Sequence, residues 1–146
     1  MRKVLQVIVP TVVLVLGLPA GASATAREDD RYLGMMRSAS GHSGYAQTKV
    51  WDTGTDGRDY AVYGRIYDRD RHSGHCGWVR ARFHFRKGGS AWSPARWTCA
   101  SAYKGFLFEA GRDVKGADLK ICIYQPKRRA TSYCRTESIY FHGLTR

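Results

Sequence analysis

The chain has 146 residues and a formal net charge of +12, from 24 Lys and Arg against 12 Asp and Glu. That length is one domain's worth of chain, enough for a core though a modest one. The cationic excess selects polyanions or acidic proteins as partners, and an even count of four cysteines leaves no thiol free for catalysis once two disulfides form.

Arg2 and Lys3 open the chain, Val7 to Leu18 is almost wholly apolar, Pro19 breaks the run, and Ala22-Ser23-Ala24 supplies small residues. The pattern predicts a secretory signal peptide over residues 1–24, with cleavage after Ala24 or at a neighbouring bond between Ala22 and Ala26. The apolar run is short for a bilayer span, and no cysteine follows it closely enough for a lipid anchor. The expected product is an exported, extracellular chain without a transmembrane segment, in a compartment where disulfides persist.

Thr25 to Gly44 is polar, Gly/Ser-rich and weakly patterned, with an acidic start followed by Tyr32, Leu33, Met35 and Met36. It reads as an extended N-terminal arm whose four apolar residues form a candidate partner-binding group. A frayed terminus or a first edge strand is the competing reading.

From Tyr45 to Arg146 the pattern is that of a β domain. "YAQTKVWD" is a short strand ending at Asp52, and Asp56-Gly57 signals a turn. Tyr60, Val62, Gly64 and Ile66 then alternate with Ala61, Tyr63, Arg65 and Tyr67. In "GWVRARFHFRKGG", Val79, Ala81, Phe83 and Phe85 face one way and Trp78, Arg80, Arg82, His84 and Arg86 the other, a period of two that a helix would not produce. A further strand is expected around Trp97 to Ala102, and a final hairpin from Leu119–Gln125 and Ser132–Phe141. The stretch "YKGFLFEAGRDVKGADLK" holds room for a short helical turn, limited by Gly111 and Gly116. Six to seven strands at this spacing predict an all-β fold, a small antiparallel sandwich or barrel.

The cysteines follow from the turns. Cys122 and Cys134 are equidistant from Arg128 in "PKRR", and Cys76 and Cys99 are centred on "RKGGS". Hairpins at these points predict the pairs Cys76–Cys99 and Cys122–Cys134. His72, His75 and Cys76 resemble a partial zinc cluster but lack a fourth ligand, and Asp52, Asp56 and Asp59 do not match a calcium loop. No metal or other cofactor is expected. His84, His142, Glu109 and Glu137 could serve a small ribonuclease, but no spacing joins them into one site.

Charge is divided unevenly. Residues 25–75 carry eight basic and eight acidic side chains, whereas residues 76–146 carry fourteen basic and four acidic. Two cationic surfaces follow: the strand face of Trp78, Arg80, Arg82, His84 and Arg86, and the hairpin tip of Lys127, Arg128 and Arg129. Aromatic rings among cations suit stacking on bases or sugars.

The stretches "VWDTGTDGRDYAVYGRIYD" and "FEAGRDVKGADLKICIY", with a last cysteine near the end, resemble the small exported β-proteins of actinobacteria over roughly Lys49 to Phe141. Most of that group have no assigned activity, so the resemblance implies turn and core motifs and no catalytic residue. A narrower resemblance is to the adaptor subunit of secreted umbrella-shaped toxin particles, an exported domain behind an N-terminal arm that joins a lectin-like subunit to a long stalk. It implies that Thr25 to Gly44 is the counterpart of that arm, and it carries over no site residue. The expected function is a secreted, non-catalytic binding or adaptor module, its partners other exported subunits or an anionic polymer of the cell envelope, with nucleic acid less favoured. A cationic antimicrobial or toxin-like protein and a small secreted nuclease are the alternatives.

Overall fold

The computed structural model describes residues 30–53, 59–111 and 113–140. The expected signal segment, the start of the expected arm, the expected Asp56-Gly57 turn and His142 lie outside them. Nine strands form among the described residues: β1 (Arg31–Arg37), β2 (Ala46–Asp52), β3 (Tyr60–Asp68), β4 (Cys76–Phe85), β5 (Ser90–Trp92), β6 (Arg96–Thr98), β7 (Lys104–Ala110), β8 (Val114–Gln125) and β9 (Ala130–Tyr140). No helix among them is long and apolar enough to cross a membrane.

The strands make two antiparallel sheets. One has the order β1-β2-β3-β7; the other runs β5-β4-β8-β9, with β6 pairing β4 beyond β5. Their facing sides share one core. Val50, Val62, Ile66, Phe106 and Phe108 come from the first sheet, and Val79, Ala81, Phe83, Leu119 and Ile121 from the second. Two separate sheets packed face to face are a sandwich and not a barrel. Each large apolar side chain buried there stabilises by roughly 1.5–3 kcal/mol.

The period of two in β4 is realised. Val79, Ala81 and Phe83 are buried, Arg82 is exposed, and Trp78, Arg80 and His84 are half-buried on the outer side. Both expected disulfides form, with Cα–Cα distances of 4.1 Å each. Cys76–Cys99 ties the start of β4 to the segment after β6. Cys122–Cys134 staples β8 to β9 below a 3-10 turn at Pro126–Arg128, which Arg129 closes in the left-handed region (φ 51°).

Three expectations change. The strand count rises from six or seven to nine, chiefly through β1, β5 and β7. The stretch expected to hold a helical turn is extended instead. Phe106 and Phe108 point into the core while Gly105 and Glu109 face water, and Gly111 falls between strands. The third change concerns the arm, whose residues Arg31–Arg37 are the edge strand of the first sheet, hydrogen-bonded to β2.

A bulge between Tyr32 and Gly34 explains why the periodicity of that segment is weak. Gly34, at φ +109°, takes up the extra residue. Leu33 and Met36 can then both pack against the core, while Tyr32 and Met35 stay exposed. The strand is pinned at its start, where Arg31 donates to the buried Asp52 at 2.6 and 3.2 Å and Tyr63 donates its hydroxyl to Asp30 at 2.6 Å.

Candidate functional site

The outer side of the five-stranded sheet gathers part of the expected cationic surface. Register sets the rows: Trp92, Arg82, Asp118 and Ser138 stand side by side across β5, β4, β8 and β9, and Arg80 stands beside Lys120 in the next row but one along the strand. Trp97, Trp78 and Cys122 form the row after that. Cross-strand neighbours at such positions lie close enough to interact.

Trp92 organises the two arginines. The Arg80 guanidinium carbon lies 5.1 Å from its ring centroid and that of Arg82 lies 5.7 Å away. Both are within the range of a cation–π contact. The edge strand fixes each arginine again from behind: Arg80 Nε donates to the Ser93 carbonyl at 2.6 Å, and Arg82 Nε donates to the Ser90 hydroxyl at 2.9 Å. The Nη nitrogens of both make no hydrogen bond among the described residues and remain donors for a ligand. Holding Nε while sparing Nη orients a guanidinium for a bidentate contact with a phosphate or carboxylate.

Asp118 is the acid of this face. It accepts from the Ser138 hydroxyl at 2.7 Å and contacts His84 Nε2 at 2.7 Å. Burial works to raise its pKa, but the Ser138 and His84 hydrogen bonds and the charges of His84 and Arg82 outweigh it, and the net value falls below the ordinary one. The carboxylate sits between hydroxyl and imidazole. Ser138 therefore donates to a carboxylate and not to an imidazole, and the order is not that of a nucleophilic triad. The other groups considered for catalysis lie apart. Glu109 is exposed on β7 of the opposite sheet, and Glu137 pairs with Arg135 at 2.5 Å.

Arg86 does not share the strand face. It lies in the turn beyond β4, past a register shift at His84/Phe85, and its N–H donates to the Asp113 carbonyl at 2.8 Å. The hairpin tip is a separate feature. Lys127, Arg128 and Arg129 are exposed, and the run from Asp118 to Gln125 separates them from the Arg82 row by roughly 24 Å at about 3.4 Å per residue. Aromatic rings occupy the space between, with the centroids of Trp97 and Tyr124 5.6 Å apart.

The histidine cluster is a clamp. His75 Nδ1 lies 3.1 Å from Asp70, its Nε2 3.3 Å from Gln125, and its ring stacks on His72 at 4.2 Å. Cys76 is in a disulfide and offers no thiolate. Among the described residues no group of three or more His, Cys, Asp or Glu gathers to hold a metal. Asp52 is committed to Arg31 and to the Tyr60 hydroxyl, 3.1 Å away.

A second cationic and aromatic surface, on the outer side of the first sheet, was not expected. Arg65 lies 4.5 Å over Tyr103, Arg69 4.9 Å over Tyr67, and Arg37 4.9 Å over Tyr45. Tyr32, Trp51 and Tyr63 form a ring row beside them. The zero net charge of residues 25–75 concealed this surface. Asp52 and Asp68 of that half are buried and Asp70 is taken up by His75, whereas Arg37, Arg65 and Arg69 are exposed. The signal available was the alternation of Tyr63, Arg65, Tyr67 and Arg69 on one side of β3 and its exit. Tyr32 belongs to this surface, while Leu33 and Met36 turn inward, so the four apolar residues of the expected arm do not act as one group.

Fold and surface together define a disulfide-stapled antiparallel β-sandwich with cations and aromatic rings interleaved on its outer faces. Comparison with protein-family models, with curated proteins and with solved structures gives no match to the chain.

Proposed function

We propose that the protein is a secreted, non-catalytic binding module, an adaptor-like subunit whose five-stranded face receives a polyanionic or acidic partner. The observation that carries this reading is Trp92 flanked by the Arg80 and Arg82 guanidiniums, each held at Nε with Nη spared. Lys120 adds a third cation beside Arg80. Asp118 is the acid among them, and its lone pairs are engaged by Ser138 and His84. The surface suits a chain of phosphates or carboxylates, and two disulfides suit a compartment outside the cytoplasm. The partners that fit are an anionic polymer of the cell envelope or an acidic exported subunit, and the resemblance to toxin-particle adaptors favours a place in an extracellular assembly.

The test is binding to a glycerol-phosphate polymer across a salt series. Affinity should fall steeply with salt, because each neutralised phosphate releases counterions. Arg80→Gln with Arg82→Gln should lower both the affinity and the salt slope while the melting temperature holds. A salt-independent interaction, or a double variant that binds as the wild type does, would overturn the assignment of this face. Inhibition of bacterial growth by the purified protein alone would replace the adaptor by the cationic antimicrobial.

A further inference from the structure

We propose that two copies of the chain join edge to edge through β9, across a two-fold axis at Thr136. β9 ends the five-stranded sheet, and among the described residues no strand pairs with its outer side. It is eleven residues long and contains no proline. An unpaired strand of that length is a ready template for another chain unless something guards it.

The guard here has an uncommon form. Register places Arg135 beside Ile121 and Glu137 beside Leu119, so both charged residues stand on the core-facing side of the edge strand. Charges in that position ordinarily repel a neighbouring edge. These two differ in sign and are spaced by two about Thr136. In an antiparallel pair of β9 with its own copy, Arg135 therefore stands opposite Glu137 of the second copy, twice over. Thr136 stands opposite itself. Opposite-charge and Thr–Thr pairs are the favourable cross-strand combinations. A strand guarded by one sign of charge would reject its copy, whereas this one matches it. The basic tips after Gln125 point to opposite ends of such a dimer and do not meet. The bulge that takes in Tyr133, where φ is 51°, and Cys134 limits the regular ladder to the stretch from Arg135 onward.

The joined sheets would set the two Trp92–Arg80–Arg82 strips on one continuous surface. From β4 to its copy there are five strand spacings, roughly 24 Å at about 4.8 Å each. Strand β9 carries this inference independently of what the face binds.

Sedimentation equilibrium of the oxidised protein tests it. The interface is small, so a weak, reversible dimer is expected at high protein concentration. Arg135→Glu and Glu137→Arg each place like charges opposite each other at two points of the dimer, and each should weaken association by about tenfold. The double swap, Arg135→Glu with Glu137→Arg, restores the opposition of signs and should restore the dimer. Thr136→Cys, refolded with its two native bridges, should yield a disulfide-linked dimer under mild oxidation. A protein that stays monomeric up to about 1 mM overturns the proposal. So does a dimer indifferent to the single swaps, or a double swap that associates no better than either single one.

Discussion

The Arg31 guanidinium holds the Asp52 carboxylate through two donors, at 2.6 and 3.2 Å, and so fastens the first strand to the buried end of the second. The hydrogen bond to Asp52 is the main cause of a raised guanidinium pKa, against the opposing effect of burial. On the other side of the carboxylate, burial and then the Asp52 charge push the Tyr60 phenol far above its ordinary value. Arg31→Ala leaves a fully buried acceptor with two donors fewer and should cost about 1–3 kcal/mol in urea unfolding. A chain beginning at Tyr45 loses this contact together with Leu33 and Met36, and its melting temperature should fall well below that of the wild type. If that truncated chain melts as the whole protein does, β1 is dispensable.

Core and face should separate in the second strand pair. Phe83 is buried between the sheets, with its ring edge toward Tyr60 at 6.1 Å. Phe83→Ala should destabilise by about 3–5 kcal/mol through the cavity it opens. Arg82→Gln, one residue away on the outer side, should leave stability within about 0.5 kcal/mol. Paired urea melts check both. Equal losses would mean that the alternation does not divide the strand into a core side and a water side.

Two carboxylates should answer acid with opposite signs. The Asp118 pKa is lowered in the fold, so its ionised form stabilises the native state. That contribution is complete above the unfolded value of about 3.9 and disappears as pH falls through the folded value. The Asp68 pKa is raised, chiefly by burial, so its ionisation opposes folding. Its contribution is present below the unfolded value and is lost as pH rises through the folded one. Asp118→Asn should therefore be less stable than wild type at neutral pH and converge with it near about pH 2. Asp68→Asn, which keeps the acceptor for the Asp70 N–H, should be more stable at neutral pH and lose that advantage in acid. Thermal melts across this range decide; a neutral-pH loss in Asp68→Asn would show its charge to be an asset.

Replacing Cys122 and Cys134 together with alanine opens a loop of about 13 residues and should cost about 3 kcal/mol in the chain-entropy model. Calorimetry of the double variant, with Cys76–Cys99 intact, measures it. An unchanged melting temperature would mean that the Pro126–Arg128 turn holds the hairpin without its staple.

Much of the second sheet was legible because its residues obey one rule at a time. Val79, Ala81 and Phe83 alternate cleanly with Arg80 and Arg82, and the cysteines mirror each other about Arg128. The first sheet hid itself in two ways. In β1 the bulge at Gly34 turns Leu33 and Met36 to the same side, so a strict period of two is absent though the strand is real. Around β7 the glycines suggested limits to a helical turn, whereas Gly111 falls just past the end of β7 and Gly116 lies within β8. The surface was harder still. A charge count weighs every carboxylate alike, but Asp52 and Asp68 are internal, and only the three-dimensional arrangement shows that Arg37, Arg65 and Arg69 are left facing out.

The β8–β9 hairpin exposes three consecutive basic residues, Lys127, Arg128 and Arg129, at a tip bridged from below by Cys122 and Cys134. An endoprotease that cuts after Lys or Arg meets three successive scissile bonds there, at the place on β8–β9 least protected by neighbouring strands. A nick would sever the backbone without releasing either side, since the bridge joins the two halves across the cut. The nicked molecule would gain one water in mass and migrate as a single species until reduced, when a piece beginning at or just before Ala130 would separate. It would also carry a fresh ammonium and a fresh carboxylate at the tip, so its net charge would stand while the pattern at that end of the molecule changed.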